Sequence, residues 1–442
     1  MTRPVVVDLF AGAGGMSLGF EQAGFDVAAA VELDPVHAAV HAFNFPKSAV
    51  LARSVVGLSG EEIRTAAGIG DRRVDVVVGG APCQGFSLIG HRVLEDPRNR
   101  LVLEFVRIVT ELDARFFVFE NVKGLTLGKH RRFLEELVQA FQAAGYRVRI
   151  PWKVLNAADF GVPQNRERLI LLGAKIGEPL PKYPEATSRA AGSRGRLAEG
   201  PSCADALGDI PDAETLPTLN NADEAAVDWW GQPSAYAAEL RCLRTEHWHY
   251  GYRRNWEPSH LTSSARTGHS DISRRRFAAT AQGEVEPISR FFKLAAGGVS
   301  NTLRAGTDGA RGAFTSPRPV HYLFARCVTV REMARLHGFP DWFRFHVTKW
   351  HGGRQIGNAV APPLARAIGA SLFEALNLEP QKPQQIVDLG SKALLEFTVS
   401  QAANHWNVEN PIGRRDQKSG ARKRKQEEIE AANAAFARVA AE

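Results

Sequence analysis

The chain has 442 residues, too many for one ordinary hydrophobic core, so two domains are the first expectation. A hydrophobic share of 44% and a charged share of 23% are those of a soluble globular protein, and no apolar run is long enough to span a membrane. The formal charge of +7 suits a polyanionic partner, and four scattered cysteines (Cys83, Cys203, Cys242 and Cys327) exclude a disulfide framework or a metal knuckle. Met1-Thr2-Arg3-Pro4 leads straight into a strand without signal-peptide character, which predicts a reduced, cytoplasmic, metal-free protein.

In chain order, the strand Pro4 to Phe10 is followed by Ala11-Gly12-Ala13-Gly14-Gly15, and helical spacing resumes at Met16, Leu18 and Phe20. Strand, glycine-rich turn and helix make a cofactor cradle, because glycines let the backbone approach a ligand closely. A second strand, Phe25 to Val31, ends in Glu32, where a carboxylate can accept hydrogen bonds from ribose hydroxyls. A dinucleotide or S-adenosylmethionine would fit such a cradle. The dinucleotide fingerprint has a third glycine where this chain has Ser17.

The β-branched run Val74 to Val78 predicts a buried strand, and Gly79-Gly80-Ala81-Pro82 breaks it to set Cys83 on a tight loop. In open α/β sheets the chemistry lies just past the carboxyl ends of the strands, so Cys83 is a candidate nucleophile; the plain alternative is a small buried hydrophobe. Asp96-Pro97-Arg98-Asn99 starts a helix that carries Leu101 and Leu103. A strand at Arg115–Phe119 ends in Glu120-Asn121-Val122, a helix covers about 133–144, and a strand covers about 146–155. Gln164-Asn165-Arg166-Glu167-Arg168 then enters the strand Leu169 to Leu172. Residues 1–174 therefore predict repeated βα units around a mostly parallel sheet.

Residues 175–300 have a different texture, with frequent Gly, Pro, Ser, Thr and Arg. Trp229-Trp230, His247 to Tyr250 and Tyr252 to Trp256 interleave aromatic and basic side chains, as do Arg266, His269 and Arg274 to Arg276. Such a mixture can read base edges and grip phosphates; it can equally form a small irregular core. Val328 to Pro340 predicts a capped helix stopped by Gly338 and Pro340, and Pro362 opens a helix through about Leu376. Beyond Leu378 the sequence predicts a basic, mobile tail over 379–442, with the run Arg414 to Lys425.

The blocks Asp8 to Gly15, Gly80 to Ser87, Glu120-Asn121-Val122, Gln164 to Arg168 and Gln355 to Val360, in this order, resemble the cytosine-C5 DNA methyltransferases. The resemblance implies a Rossmann-like S-adenosylmethionine-dependent methyltransferase domain with a mostly parallel sheet, plus a smaller irregular target-recognition domain. The implied division is a catalytic and cofactor domain over 1–174, target recognition over 175–300, and a returning segment over 301–378 that completes the catalytic domain.

By the same resemblance Cys83 would add to C6 of a flipped-out cytosine, Glu120 would bind N3 and the exocyclic amine, and Arg166 and Arg168 would contact the base and its loop. Phe10, Gly12, Gly14, Gly15, Glu32, Pro82, Leu101 and Asn358 would hold S-adenosylmethionine, with no metal. Where relatives often carry an acidic residue near the adenine, this chain offers Ser54. The implied partner is double-stranded DNA, with a cognate restriction endonuclease in the same system and the enzyme acting as a monomer. A tRNA cytosine methyltransferase, a catalytically silent DNA-binding protein and a dinucleotide oxidoreductase are the rival readings.

Overall fold

In the computed structural model, which describes residues 3–82, 100–128, 130–307 and 315–410, the apolar runs of the first 175 residues form one eight-stranded sheet. Five strands are parallel: β1 (Val5–Leu9), β2 (Asp26–Val31), β3 (Ala49–Leu51), β4 (Val76–Gly79) and β5 (Phe116–Val122). They alternate with α1 (Gly15–Ala23), α2 (Pro35–Asn44), α3 (Gly60–Ala66) and α4 (Arg100–Glu111). After α5 (His130–Ala143), β6 (Tyr146–Val148) and β7 (Lys153–Asn156) both pair antiparallel with β8 (Glu167–Lys175), which is itself antiparallel to β5. The single strand expected over 146–155 is thus two short ones, interrupted around Pro151, which has no N–H for the ladder.

The strand order β3-β2-β1-β4-β5-β8-β6 places a topological switch between β1 and β4, because the chain builds outward to β3 and then returns to the other side of β1. Ligands of open α/β sheets bind at that crevice. The register sharpens the point: Val31, Leu9, Gly79 and Phe119 lie side by side in one row across β2, β1, β4 and β5. Glu32, Phe10, Gly80 and Glu120 each follow that row by one residue. At about 4.8 Å per strand, the two acids stand about 14 Å apart along one sheet edge.

The sheet is covered on both faces. One core holds Val7, Phe105, Phe117 and Phe141; the other holds Val6, Phe20, Val118 and Leu172 with Leu364, Ile368 and Leu372 of a late helix, α11. The elements leading to it are α6 (Cys203–Leu207), β9 (Ala225–Ala226), α7 (Ala235–Leu240), β10 (Arg253–Asn255), β11 (His260–Leu261), α8 (Asp271–Ala279), α9 (Val330–His337), α10 (Lys349–Asn358) and α11 itself (Pro362–Leu376). A segment almost 200 residues past β8 therefore completes the layer over the parallel sheet. Its approach to α1 leaves no space for side chains: a Cβ on Gly19 would stand 2.4 Å from Ala365 Cβ and 2.6 Å from the Pro362 carbonyl.

The boundary expected at residue 300 falls inside one packed unit. Cys203, Leu207, Leu219, Leu261 and Leu294 share a core with Val328, Met333, Leu336, Phe345 and Ile356. Fully buried Arg335 of α9 joins the two parts, with hydrogen bonds to Asp209 at 3.0 Å and Asp341 at 2.6 Å. Residues 379–410, expected to be mobile, pack on the sheet domain instead. There β12 (Ile386–Asp388) pairs parallel with β10, Leu395 is buried against Ala13, Val40 and Phe43, and Trp406 of α12 (Val399–Trp406) donates to the Pro35 carbonyl at 3.1 Å. These apolar residues offset the cost of ordering that a purely basic tail could not. The basic run from Arg414 lies outside the described residues, as do Cys83 and the helix start at Asp96–Asn99. Among the described residues no helix is long and apolar enough to cross a membrane.

Two expectations follow. Gly19→Val should destabilise the fold by about 3 kcal/mol in chemical denaturation, because overpacking at a backbone contact cannot relax; Gly124→Ala, with open space around its Cβ position, should be nearly neutral. Asp8 is fully buried, and burial pushes its carboxyl up to about 7, with Ser17 Oγ donating to Oδ2 at 2.6 Å. A carboxyl whose folded pKa is raised loses stability as pH rises from its unfolded value through its folded one. The stability of Asp8→Asn relative to wild type should therefore climb with pH, by about 1.4 kcal/mol per unit between pH 4 and 7; a flat difference curve would refute this.

Candidate active site

The glycine-rich turn after β1 is held from below. Phe10 adopts φ 59°, the left-handed region that a bulky residue avoids, so the surrounding contacts impose it. The Gly14 N–H donates to the Ala11 carbonyl at 3.0 Å, and the Ala11 N–H donates to Val31 at 3.1 Å. A Cβ on Gly14 would lie 2.4 Å from the Phe45 ring, and one on Gly15 would lie 2.4 Å from the Val360 carbonyl. Gly12, at φ 55°, has only open space around its Cβ position. The turn is thus closed on its protein side at Gly14 and Gly15 and open at Gly12.

Glu32 stands opposite. Its Oε2 accepts from the Gly12 N–H at 2.8 Å and its Oε1 from the Asp34 N–H at 2.8 Å, which fixes the carboxylate at the mouth of the turn. Burial raises its pKa above the ordinary range, against a smaller opposing pull from His37. Ser17 is fully buried: its Oγ lies 2.6 Å from Asp8 Oδ2 and 3.0 Å from His41 Nε2, so it holds the base of the turn to β1 and α2. Ser54 is engaged locally, its Oγ accepting from the Val56 N–H at 3.1 Å.

Across the switch point, β4 delivers Gly79 and Gly80, then Ala81 and Pro82, the last described residues before Cys83. Glycine is required at the first by backbone, and at the second any side chain would displace the Glu120 carboxylate. A Cβ on Gly79 would lie 2.4 Å from the Leu9 carbonyl, and one on Gly80 would lie 2.5 Å from Glu120 Oε2. Asn121 Nδ2 donates to the Ala81 carbonyl at 2.9 Å and so anchors the entry to the Cys83 loop on β5. Pro82 is exposed, and Leu101 on α4 is partly buried against the core beneath.

Glu120 at the end of β5 is paired with Arg168 of β8, Nε to Oε1 at 2.7 Å, both side chains nearly buried. Burial raises the Glu120 pKa, and Arg168 and then Arg166 pull it back. Arg168, expected from the resemblance to contact the base and its loop, lies against the acid in this structure. Arg166 does not share its place. It is 1% exposed and donates to the carbonyls of Leu303 at 3.0 Å, Gly357 at 2.7 Å and Ala359 at 2.7 Å. Its two outer nitrogens are committed to backbone carbonyls, which places it in the scaffold behind the acid, tying the start of β8 to the returning C-terminal segment. Asn358, between two of those carbonyls, keeps an exposed side chain.

The chain between β8 and α9 turns many of its aromatic and basic groups inward. Trp248 stacks on Trp342 at 5.9 Å, buried Arg254 pairs with Glu21 at 2.8 Å, and His249 meets Glu239 at 2.8 Å. Arg274 pairs with Glu214 at 2.6 Å. Trp229, Arg253 and Arg275 remain exposed. Asn121, Gln164 and His337 also make defined contacts here, none of them signalled by the sequence. Asn121 and Gln164 lie within motif blocks already noted; nothing in the sequence around His337 says what it meets.

Comparison with known proteins accords with this geometry. The family model for the C-5 cytosine-specific DNA methylase matches residues 5–374. The chain is 56% identical over 412 residues to the type II methyltransferase M.XorII of Xanthomonas oryzae pv. oryzae, covering 93% of this chain and 94% of that protein. It is 33% identical to the type II methyltransferase M1.HphI of Haemophilus parahaemolyticus, over 83% of this chain and 86% of that one. A solved prophage-encoded protein of E. coli, described as a DNA modification methyltransferase, superposes with a TM-score of 0.68 at 32% identity, covering 85% of this chain and all of that one. With the glycine turn, the acid near the end of β5 and the returning C-terminal segment all in place, the chain belongs to the C-5 cytosine-specific DNA methylase family and is a DNA (cytosine-5-)-methyltransferase.

Proposed function

We propose that the protein is the modification enzyme of a type II restriction-modification system, acting as a monomer in the cytoplasm on one duplex sequence also cut by a cognate endonuclease. The observation that carries this is the row of strand ends. One edge of the sheet brings a glycine turn with its facing acid, the stem of the Cys83 loop and the Glu120–Arg168 pair to a single switch point.

The residues present fit S-adenosylmethionine. Open space over Gly12 lets a ligand approach the backbone, and the fixed Glu32 carboxylate presents its remaining lone pairs to a ribose diol. Phe10, Gly14, Gly15, Pro82, Leu101 and Asn358 complete that side. When bound, the cofactor supplies an electrophilic methyl group. C5 of cytosine is a poor nucleophile because its ring is aromatic. Thiolate addition from Cys83 to C6 removes the aromaticity and gives C5 enamine character. Glu120 serves this step by giving N3 a proton, since burial keeps its carboxyl protonated to higher pH than an exposed one. Loss of the C5 proton and departure of the thiol then restore the ring.

Among the described cysteines, burial pushes the thiols of Cys203 and Cys327 up to about 12 and about 11 and raises Cys242 as well, which leaves them poor nucleophiles. A base inside a duplex is out of reach of Cys83 and Glu120, so the target is flipped at a cost of a few kcal/mol. Residues 175–300, with exposed Trp229, Arg253 and Arg275, are the surface we assign to target recognition.

Cys83→Ser should lose methylation about a thousandfold or more while keeping DNA and cofactor binding. Wild-type protein given duplex DNA with 5-fluorocytosine at the target and S-adenosylmethionine should be trapped covalently, because fluorine cannot leave C5 as a proton does. Peptide mapping that finds the DNA on any cysteine but Cys83 would overturn the assignment. Glu120→Gln should slow trapping about a hundredfold. In Arg168→Gln, loss of the neighbouring cation should move the alkaline limb of the pH–rate profile, where Glu120 gives up its proton, to higher pH; a limb that stays or moves down would assign it to another group.

A further inference from the structure

His337 ends α9 and is fully buried, and both of its ring nitrogens are engaged. Gln164 decides how. Its Oε1 accepts from the Leu303 N–H at 3.1 Å, and because a backbone N–H can only donate, that end of the amide must be the oxygen. Gln164 Nε2 is then the donor, to the Leu336 carbonyl at 3.2 Å and to His337 Nδ1 at 2.9 Å. His337 Nδ1 is therefore an acceptor, the ring proton sits on Nε2, and that proton is donated to the Ala359 carbonyl at 3.1 Å.

Ala359 belongs to the turn that carries Asn358. Arg166 grips the same turn from the other side, at the Gly357 and Ala359 carbonyls. The turn has no slack elsewhere: a Cβ on Gly357 would lie 2.3 Å from the Ala305 nitrogen, and Ala359 and Val360 lie directly under Gly15. His337 and Arg166 thus hold the carbonyls on either side of Asn358, while the next residues, Ala359 and Val360, pack against Gly15.

We propose that His337, as the neutral Nε2–H tautomer, is a positioning residue for the cofactor, aiming Asn358 at the glycine-rich turn through the Ala359 carbonyl. The inference rests on the reading of that turn as the S-adenosylmethionine site. The environment favours the neutral ring. Burial first, then Arg166 and Arg168, holds the imidazole well below its ordinary pKa. The groups facing it are Gln164, Arg166, Arg168 and the stacked Phe339 ring at 5.7 Å, with no carboxylate within hydrogen-bonding reach among the described residues. A proton on Nδ1 would remove the acceptor that Gln164 requires. His337 touches no reacting atom; it acts through the backbone of residues 357–359.

Two variants separate its two bonds. His337→Asn keeps an oxygen for Gln164 but is too short to reach Ala359, whereas His337→Gln carries an amide N–H far enough to donate to it. Calorimetric titration with S-adenosylmethionine should show His337→Asn weakened about tenfold and His337→Gln within about twofold of wild type, as expected for loss and rescue of one buried hydrogen bond. DNA affinity should stay within about twofold in both. The KM for S-adenosylmethionine should rise in His337→Asn, with kcat at saturating cofactor unchanged. Wild-type cofactor affinity in His337→Asn, equal weakening in both variants, or a parallel fall in DNA affinity would overturn the inference. So would a His337→Asn protein that does not fold, since the contact would then serve the fold as a whole. A wild-type protein that binds no S-adenosylmethionine would sink the cofactor reading itself, an outcome distinct from any seen only in the variants.

Discussion

The arrangement depends on the close contact between α1 and α11. Helix α1 begins at the glycine turn, and at Gly15 and Gly19 it presents bare backbone to Val360, Pro362 and Ala365. Side chains there would push α11 off the sheet face, and with it the turn that bears Asn358. Gly369 repeats the device from the other helix, its Cβ position 2.7 Å from Ala23. Protein interiors are packed too tightly to absorb such a displacement locally. One small-residue seam therefore joins the first helix of the chain to a late one, and holds the glycine turn against residues 359–360.

The Glu120–Arg168 pair is governed by electrostatics in a dry setting. Glu120 is buried enough that charge is costly, yet Arg168 lies against it and favours that charge. A carboxyl balanced between these influences can hold a proton and still give it up. Arg166, two residues earlier, contributes from behind. Its guanidinium is almost wholly buried, its outer nitrogens are taken by three carbonyls, and its charge reaches Glu120 only as a secondary pull. Two arginines in one short block thus do different jobs: one touches the acid, and the other ties β8 to the segments around residues 303 and 358.

The region beyond β8 shows how a mixed composition can mislead. Arg254, Arg274, His249 and Trp248 look from the sequence like a surface for nucleic acid, yet each has an internal partner. Interleaved aromatic and basic residues are what a buried network of cation–π contacts and ion pairs also requires. Arg254 lies over the Trp342 ring at 4.8 Å, and Arg241 lies over Trp230 at 4.5 Å. Exposure, which composition does not encode, separates these from Trp229 and Arg275.

The βα alternation, the glycine turn, the loop stem after β4 and the acid near the end of β5 are all legible in the residues. All of these are local: a β-branched run, a glycine with no alternative, a residue one step past a strand. Glu32 and Gly80 were legible for that reason, since each follows the last residue of its strand, and Glu120 because it closes the apolar run of β5 two residues before that strand ends. The tertiary structure alone decided which arginine meets Glu120, where α11 lies, that residues 386–406 close on β10 and α2, and that His337 faces Gln164 and Ala359. Those outcomes depend on groups brought together from different elements, 22 residues apart for His337 and Ala359 and 371 for Trp406 and Pro35. A long side chain such as Arg166 or Arg168 takes its role from whatever carbonyl or carboxylate the packing of distant segments puts within reach, and no local pattern carries that information.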